Sequence, residues 1–403
     1  MRIGILTQYY PPEMGAPQSR LSDLAAQLRS RGHEVVILTA MPNYPHGRIQ
    51  EGYGGLVRRE RRSEGDVIRT WIWPSVSRRP LPRILSYLSF TVSAALAGAV
   101  YLPRLDVLIT ESPPLTLGVT GWILSKLKRA RSVFNVSDLW PESAVALGML
   151  SASGRGARLA YRLEGFSYRH AWAVSGQSAE ILESVSRRFP AVRTIPFLGG
   201  ADTNRFSPSR QSNEIRLRVL GDEPVIAVYA GLHGLAQGLD NVLDAAELTR
   251  DTAGLAIVLI GDGPVKQTLV GTARARGLKN VRFVDAIDRD DVPGVLASAD
   301  VALVPLGLRL PGAVPSKLYE AMASGVPVVL VAEGEPARVL QEAGGGIVVQ
   351  PGDGLGLAAA LERLAASKPL RQSLGAAGRS AAVEKHDRRA SCDLFIDALE
   401  EAR

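Results

Sequence analysis

Short aliphatic runs alternate with longer amphipathic stretches along the whole chain, and no other feature restricts its fold as strongly. This alternation is typical of parallel β-sheets whose connecting helices cover both faces. The predicted strands are Arg2–Thr7, Glu34–Thr39, Val67–Trp71, Asp106–Thr110, Ser132–Val136 and Ala171–Ser175 in the first half, then Val225–Ala230, Ala256–Ile260, Val281–Val284, Val301–Pro305 and Pro327–Val331 in the second.

The series of strands restarts after a stretch rich in Gly, Pro, Asn and charge, Leu198–Asp222. A connection of that composition marks a domain boundary, and 403 residues suit two domains of about 200 residues each. We therefore predict two doubly wound α/β domains that face each other across a cleft. They cover residues 1–197 and 198–385, and residues 386–403 form a helix that packs back onto the first domain.

Cysteine content and the chain start restrict the cellular context. The single cysteine, Cys392, excludes an intramolecular disulfide and a metal cluster built from cysteines. The first apolar run ends at Thr7 and lacks the longer core and the small-residue cleavage site of a signal peptide. We therefore predict a buried first strand and a cytoplasmic protein.

Most of the +7 net charge falls in the first 110 residues, where every basic side chain is Arg. One cluster is Arg58–Arg62, and Arg78, Arg79 and Arg83 follow. Such a field suits nucleic acid or an anionic membrane surface. Because the cluster lacks interleaved aromatic residues and a nucleic-acid module, we favour the membrane and predict no nucleic acid partner. A solvated basic face without any partner remains open.

No residue between Ile84 and Leu102 is charged, and a helix of that length would nearly span a bilayer core. A span would separate the strand Asp106–Thr110 from the earlier strands of its sheet. Three interpretations stay open here: a buried domain helix, an exposed apolar face that touches the membrane, and a true span. The neighbouring Arg83 favours docking, because an apolar surface beside basic residues provides two membrane signals.

Glycine-rich loops follow several predicted strands, where open parallel sheets bind their ligands. One loop contains Gly15, a second covers Gly231–Gly238, and a third covers Gly261–Gly263. Their backbone amides could face phosphate, although none has the dinucleotide-binding fingerprint and plain turns stay possible. In Gly312–Val329, Ser316 is a candidate helix cap, Lys317 could neutralise phosphate, and Glu320 could accept hydrogen bonds from a ribose.

These segments occur in the order Pro11–Arg20, Arg31–Val35, Gly200–Thr203, Gly261–Pro264 and Glu320–Val329, and in this order they resemble glycosyltransferase family 4. The resemblance covers nearly the whole chain. Within the family, Asn43–Pro45, Asp138–Ser143 and Pro315–Lys317 are similar to a bacterial subgroup that extends lipid-linked sugars in O-antigen, capsule and exopolysaccharide assembly. Fucosamine and fucose transferases belong to that subgroup.

The resemblance implies the GT-B fold with two Rossmann-like domains, a nucleotide-diphosphate sugar as donor, retention of the anomeric configuration, and no metal or cofactor. The implied partners are a UDP-sugar, a polyprenyl-diphosphate-linked sugar acceptor and the inner face of the cell membrane, whereas the oligomeric state stays unknown. The donor-binding residues are expected to be Gly15, Gly231, His233, Gly234, Gln237, Gly261, Asp262, Gly263, Arg309, Ser316, Lys317 and Glu320.

The catalytic candidates are Asp138, Glu142 and Lys317, and the acceptor-binding candidates are Arg20, Asn43, Tyr44 and Asp138. The sequence departs from the family pattern in three places, which involve four residues. Gly312 replaces the first of two glutamates, His233 and Gln237 occupy the loop of the usual Arg and Lys clamp, and Ser137 replaces a histidine. We therefore expect Lys317, together with Arg309, to supply the positive charge.

Two other functions stay compatible with this sequence. A nucleotide-sugar epimerase of the same fold would invert a sugar centre without an acceptor. A catalytically silent subunit would bind a nucleotide sugar and position a partner at the membrane, and the missing first glutamate keeps that alternative open.

Overall fold

The computed structural model describes residues 1–13, 15–77 and 80–401, so Arg78 and Arg79 of the predicted basic cluster lie outside the described residues. The chain divides into two compact units. The first contains Met1–Leu198, Leu310–Ala313 and the described residues from Arg389 onward. The second contains Gly199–Arg309 and Val314–Arg388.

The first unit is built on an eight-stranded sheet in the order β3-β4-β2-β1-β5-β6-β7-β8. Its strands are β1 (Arg2–Leu6), β2 (Glu34–Ala40), β3 (Val57–Arg62), β4 (Gly65–Thr70), β5 (Val107–Ser112), β6 (Arg131–Val136), β7 (Ala173–Gly176) and β8 (Thr194–Pro196). Its helices are α1 (Ala16–Ser30), α2 (Pro80–Tyr101), α3 (Leu117–Lys128), α4 (Glu142–Ala146), α5 (Arg155–His170) and α6 (Ala179–Arg188).

The second unit is built on a six-stranded parallel sheet in the order β11-β10-β9-β12-β13-β14. Its strands are β9 (Val225–Ala230), β10 (Leu255–Ile260), β11 (Val281–Val284), β12 (Val301–Pro305), β13 (Val328–Val331) and β14 (Gly346–Val349). Its helices are α7 (Asn213–Ile215), α8 (Leu239–Leu248), α9 (Lys266–Ala275), α10 (Val292–Ala297), α11 (Ser316–Ala323), α12 (Glu335–Ala343), α13 (Gly354–Ala366) and α14 (Lys368–Lys385), and α15 (Arg388–Glu400) ends the described chain.

Both sheets are doubly wound, which confirms the predicted fold class. Strand order reverses between β1 and β5 in the first unit and between β9 and β12 in the second. Helices cover both faces, so the central strands are buried on both sides and read as continuous aliphatic runs. Ligands of such sheets bind beyond the carboxyl ends of the strands at these reversal points.

Each of the eleven predicted strands corresponds to an observed strand, whereas β3, β8 and β14 are not predicted. The β3 strand contains Arg58–Arg62 and pairs antiparallel with β4 at the sheet edge. Charged side chains are common on such edges because they discourage pairing with another chain. The basic cluster therefore also has a structural explanation.

The α2 helix contains the uncharged segment and has two different faces. Phe90 and Ala94 are fully buried, and the helix packs on β2, β4 and α3. An outer stripe at intervals of three or four residues is exposed and consists of Leu81, Ile84, Leu88, Val92, Leu96 and Val100. The interpretation of α2 as a buried helix therefore holds for its inner face and not for its outer face. By length and composition alone, α2 could cross a membrane.

The α15 helix lies in the first unit. The Phe395 ring stacks on the Phe197 ring with their centroids 4.7 Å apart. Arg31, just after α1, forms an ion pair of 2.7 Å with Asp397 and a second with Glu400. This combination of buried aromatic packing and partly exposed ion pairs holds the C-terminal helix against α1.

Candidate functional site

In the second unit, the loops after β9 and β10 interlock through their backbones. The amide of Gly231 donates to the Ile260 carbonyl at 2.8 Å, and the amide of His233 donates to the Asp262 carbonyl at 2.9 Å. A Cβ atom at Gly261 would lie 1.9 Å from the Gly231 carbonyl oxygen, and one at Gly263 would lie 2.3 Å from that of His233. Glycine is therefore required where the loops pass each other.

Lys317 projects from the first turn of α11 toward the end of β9. Its Nζ atom lies 3.3 Å from the Tyr229 hydroxyl and 4.9 Å from the centre of that ring. A Cβ atom at Gly231 would lie 2.3 Å from Nζ, so this glycine makes room for the lysine. Burial lowers the pKa of Lys317, and the nearby Glu320 carboxylate opposes that shift. In the described part of the chain, no carboxylate forms an ion pair with Lys317.

Unpaired polar atoms lie in the same loops. His233 is fully buried, and neither ring nitrogen has a hydrogen-bond partner among the described residues. Burial lowers its pKa, Lys266 and Lys317 lower it further, and the Ile260 backbone and the Asp262 carboxylate oppose the shift. The Gln237 Oε1 atom is also buried without a partner. Buried polar atoms are usually paired, so this group indicates a place where a ligand supplies the missing contacts.

The remaining predicted donor residues lie around these loops. The Asp262 carboxylate accepts the Gly263 amide at 2.7 Å, and the Gln237 amide donates to the Gly234 carbonyl at 3.3 Å. Glu320 lies one turn after Lys317 on α11, and no described residue forms a hydrogen bond with its carboxylate.

Two of the donor-site predictions need comment. The prediction of Ser316 as helix cap is wrong, because Pro315 occupies the cap position and Ser316 is the first helical residue. Arg309 lies against Gly334, where a Cβ atom would meet its Nε at 3.1 Å, so its guanidinium is beside the start of α12. Lys317 is thus the cation that lies beside the Gly231 loop.

In the first unit, a buried ion pair occupies the carboxyl end of β5. Arg20 of α1 contacts the Glu111 carboxylate at 2.5 Å and the Ser137 hydroxyl at 2.9 Å. Asn135 donates to the other Glu111 oxygen at 2.5 Å, and the Ser137 hydroxyl contacts the first. Arg20 therefore compensates a buried carboxylate whose two oxygens both accept hydrogen bonds, while the Arg20 Nε atom has no partner among the described residues.

Asp138 follows this network and differs from it. It is partly buried, and no described residue forms a hydrogen bond with its carboxylate. Burial raises the pKa of Asp138, the Glu111 carboxylate raises it further, and Arg20 lowers it. Glu142 contacts Arg188 at 2.7 Å, and the same guanidinium binds Glu164. Of the two predicted carboxylates, Asp138 is the one without a charged partner.

Asn43 and Tyr44 follow β2, and both backbone amides donate to one oxygen of Glu13, at 2.8 and 2.9 Å. Burial raises the pKa of Glu13, and these amides oppose the shift. The Tyr44 ring lies edge-on to that of Tyr9, with 6.0 Å between the ring centroids.

Gly15 directly precedes α1. A Cβ atom at this position would meet the Gln18 side chain at 2.5 Å.

Glu13, Glu111 and Lys266 are functional candidates that sequence reasoning did not identify. Lys266 is buried, and its ammonium donates to the Gly261 carbonyl at 2.8 Å and contacts Asp285 at 2.6 Å. Lys266 therefore stabilises the loop after β10. One signal for Glu111 is its charge, because it lies near the end of β5, a strand that is otherwise uncharged.

Comparison with protein families gives two matches in sequence order. Residues 15–197 match the family described as glycosyl transferase 4-like domain. Residues 211–381 match the family described as glycosyl transferases group 1. The first match falls in the first structural unit, and the second falls in the second unit except for Leu310–Ala313.

Two curated relatives cover most of this chain. It is 31% identical over 347 residues to the putative colanic acid biosynthesis glycosyl transferase WcaI of Escherichia coli strain K12, covering 83% of this chain and 84% of that protein. It is 28% identical to the GDP-mannose-dependent alpha-(1-6)-phosphatidylinositol monomannoside mannosyltransferase of Mycolicibacterium smegmatis, covering 65% and 76%.

A solved structure supports the fold. The crystal structure of Anabaena Alr3699/HepE in complex with UDP has a TM-score of 0.74, with 17% identity and full coverage of both chains. Similarity at this level of identity concerns the fold.

Proposed function

The chain belongs to glycosyltransferase family 4, with the GT-B fold, and on that premise we propose that it is a retaining, metal-independent transferase. It moves a hexose or an amino-deoxyhexose from a UDP-sugar to a polyprenyl-diphosphate-linked sugar acceptor. The product is an intermediate of a bacterial surface polysaccharide.

The observation that carries this proposal is the environment of Lys317. Among the described residues, its ammonium has only the Tyr229 hydroxyl within hydrogen-bond distance, and the atoms of His233 and Gln237 that have no partner there lie in the adjoining loop. A partly buried cation without an anionic partner is costly, and a diphosphate would neutralise it. The lowered pKa of Lys317 is consistent with a site whose anion is supplied by the substrate.

Glu320 provides a second contact for the same ligand. It lies three residues after Lys317, so both side chains project from one side of α11. With the diphosphate at Lys317, the Glu320 carboxylate is in position to accept hydrogen bonds from the two hydroxyls of a ribose. Two relatives support a nucleotide donor: HepE was crystallised with UDP, and the mycobacterial enzyme is named as GDP-mannose-dependent.

For the acceptor, we assign Asp138 in the first unit. Its carboxylate has no partner among the described residues, and its raised pKa makes it a stronger proton acceptor when ionised. We assign it to orient the attacking hydroxyl. A phosphate oxygen of the donor takes the proton during attack on the same face of the sugar, and Lys317 stabilises the charge on the leaving diphosphate.

The acceptor is lipid-linked in this proposal, and two observations support it. The mycobacterial relative is named for a phosphatidylinositol mannoside acceptor. The outer stripe of α2 exposes six aliphatic side chains on one face, and Arg83 lies near its first turn. Apolar insertion combined with basic residues would hold the first unit on the cytoplasmic face of an anionic membrane.

A donor screen tests the function. The protein is incubated with single UDP- and GDP-sugars and with liposomes that contain a polyprenyl-diphosphate-linked sugar, and lipids are analysed by mass spectrometry. We expect one sugar to be added, only with acceptor and also with EDTA present. An altered donor sugar without acceptor would instead identify an epimerase, and nucleotide binding without any product would identify a silent scaffold.

A further inference from the structure

An apolar cavity lies in the first unit. It has a volume of about 260 Å³ and lies between the first turns of α2, the loop after β5 and the start of α5. Ile84, Pro114, Trp140, Leu150 and Leu163 form much of its wall. Its lining is apolar apart from a few atoms at the α2 side.

The size and lining of this cavity determine what can fill it. An apolar cavity of about 150 Å³ stays dry and binds benzene, so this one has room for about ten carbon atoms, or two isoprene units. Water has few hydrogen-bond partners in such a place. The cavity therefore favours a hydrocarbon over a sugar or a nucleotide.

One wall of the cavity belongs to the loop that carries Asp138. Trp140 lies two residues after Asp138, and Pro113 directly follows Ser112 at the carboxyl end of β5. The carboxyl ends of β5 and β6 are neighbours in the sheet. A ligand in the cavity would therefore extend toward the edge of the sheet at which Asp138 lies.

Another part of the lining belongs to α2, the helix that has the exposed apolar stripe. Ile84 lines the cavity and is also part of that stripe, and Leu159 of α5 lines it while remaining largely exposed. An apolar surface thus continues from the outer face of α2 into the cavity. A hydrocarbon chain could follow it out of a membrane without crossing a polar surface.

Arg83 adds a positive charge at the rim. Its guanidinium contacts the Tyr87 hydroxyl at 3.1 Å and the Met149 sulfur at 3.7 Å. Within the part of the chain that the structure describes, no carboxylate pairs with it. A chain that ends in phosphate would match both the apolar interior and this cation.

We propose that this cavity holds the first isoprene units of the acceptor's polyprenyl chain, with Arg83 against its diphosphate and its sugar directed to Asp138. The assignment rests on the function proposed above and adds a lipid-binding subsite to it. It commits to an isoprenoid diphosphate and not to the acyl chain of a bulk phospholipid.

Gly156 provides a variant that fills the cavity without removing buried side chains. It lines the cavity near the start of α5, and a Cβ atom there would meet only Leu150, at 3.4 Å. Gly156→Leu places a bulky side chain toward the cavity and improves helix propensity. Gly271→Leu is the matched control, because Gly271 lies in α9 of the other unit and has no atom within 4 Å of its Cβ position.

The test measures binding of farnesyl diphosphate, dodecyl phosphate and inorganic diphosphate by calorimetry, with Trp140 fluorescence as a second readout. We expect farnesyl diphosphate to bind wild type and Gly271→Leu equally, and Gly156→Leu at least tenfold more weakly. Inorganic diphosphate should bind all three proteins equally and more weakly. Equal affinity of wild type and Gly156→Leu for farnesyl diphosphate would overturn the proposal, as would tighter binding of dodecyl phosphate.

Turnover separates this proposal from the function on which it rests. With a polyprenyl-linked acceptor, kcat/KM should fall at least tenfold in Gly156→Leu, while an acceptor with the same sugar diphosphate but a methyl group in place of the lipid should be used equally. Cavity-dependent binding of farnesyl diphosphate without transfer to any lipid-linked acceptor would contradict the function alone. Transfer that is unaffected in Gly156→Leu would contradict the subsite alone.

Discussion

The strand order reverses in both sheets, but the charged side chains at the two carboxyl edges differ in how they are paired. In the first unit, Arg20 and Glu111 are buried and paired, and Asn135 and Ser137 add further hydrogen bonds. In the second unit, the part of the chain that the structure describes gives Lys317 only a hydroxyl contact and gives the His233 ring nitrogens no hydrogen bond. The Glu111 network is complete at its carboxylate, although the Arg20 Nε atom has no partner among the described residues, and its paired charges contribute to folding. The incomplete network around Lys317 leaves binding energy for a ligand.

The largest expected effect removes a partner from the complete network. Arg20→Met leaves Glu111 buried without its cation, and losing one partner of a buried pair costs about 3–5 kcal/mol. Urea denaturation should show this loss. Arg29→Met on the exposed side of α1 is the control and should stay within about 0.5 kcal/mol of wild type. A loss below about 1 kcal/mol for Arg20→Met would show that the pair is not a structural element.

Lys317→Met removes the cation from the incomplete network of the second unit. We expect the opposite pattern to that of Arg20→Met, namely a large loss of activity without a loss of stability. We expect kcat/KM to fall about 100-fold, because a cation that stabilises developing charge is lost. The midpoint of unfolding should stay equal or rise, since a partly buried charge without an ionic partner is removed. Lys279→Met, an exposed lysine of the same unit, should leave both quantities unchanged. Normal turnover in Lys317→Met would remove the proposed donor site.

Glu320→Gln tests the ribose contact within the same region. A hydrogen bond to a charged group contributes about 1.5–3 kcal/mol, so the KM for the donor should rise about tenfold or more while the fold is retained. Circular dichroism and donor titration would measure the two quantities. The exposed Asp251→Asn in this unit is a control that should not change KM. An unchanged KM in Glu320→Gln would place the ribose elsewhere.

Leu96→Glu tests the lipid-facing role of the first unit. Leu96 is 68% exposed on the outer stripe of α2, and burying one leucine contributes about 1.5–3 kcal/mol. Sedimentation with anionic vesicles should show about tenfold weaker partitioning. Leu355→Glu is the matched control, since Leu355 is 73% exposed but lies in the second unit. Equal losses in the two variants would mean that vesicle binding does not depend on α2.

Asp138→Asn should change stability only slightly, with a defined pH dependence. Because the folded pKa of Asp138 is raised, ionising it opposes folding, and this cost appears as pH rises above the ordinary value of about 3.9. At pH 7 the Tm of the variant should exceed that of wild type by about 2 °C. The difference in Tm between Asp138→Asn and wild type should disappear below pH 4. The rate of sugar transfer by Asp138→Asn should be lower than that of wild type. A lower Tm at pH 7 would contradict the assigned environment.

Much of the fold was predictable because the central strands are buried on both faces. The sequence predicts β9 at its observed bounds because an apolar run ends there at Gly231, and it also predicts β11 and β12 at their observed bounds. The strand β3 could not be predicted in this way. Four of its six residues are Arg, and only its pairing with β4 makes it a strand.

The site was predictable where backbone geometry dictates the residue type. The glycines at positions 231, 261 and 263 were recognised because only glycine allows such close loops. Glu111 was not recognised, because its function depends on Arg20, which lies 91 residues away in the sequence. Ser316 was misassigned as a cap because a cap depends on where the helix starts, and α11 starts one residue earlier than assumed.

The most direct test of a donor site in the second unit is hydrogen–deuterium exchange with the nucleoside diphosphate that the donor screen identifies. We predict the largest protection in the loops after β9 and β10 and in the first turn of α11, and no such protection in Lys317→Met. Protection confined to the loops after β1 and β5, or equal protection in Lys317→Met, would contradict the account.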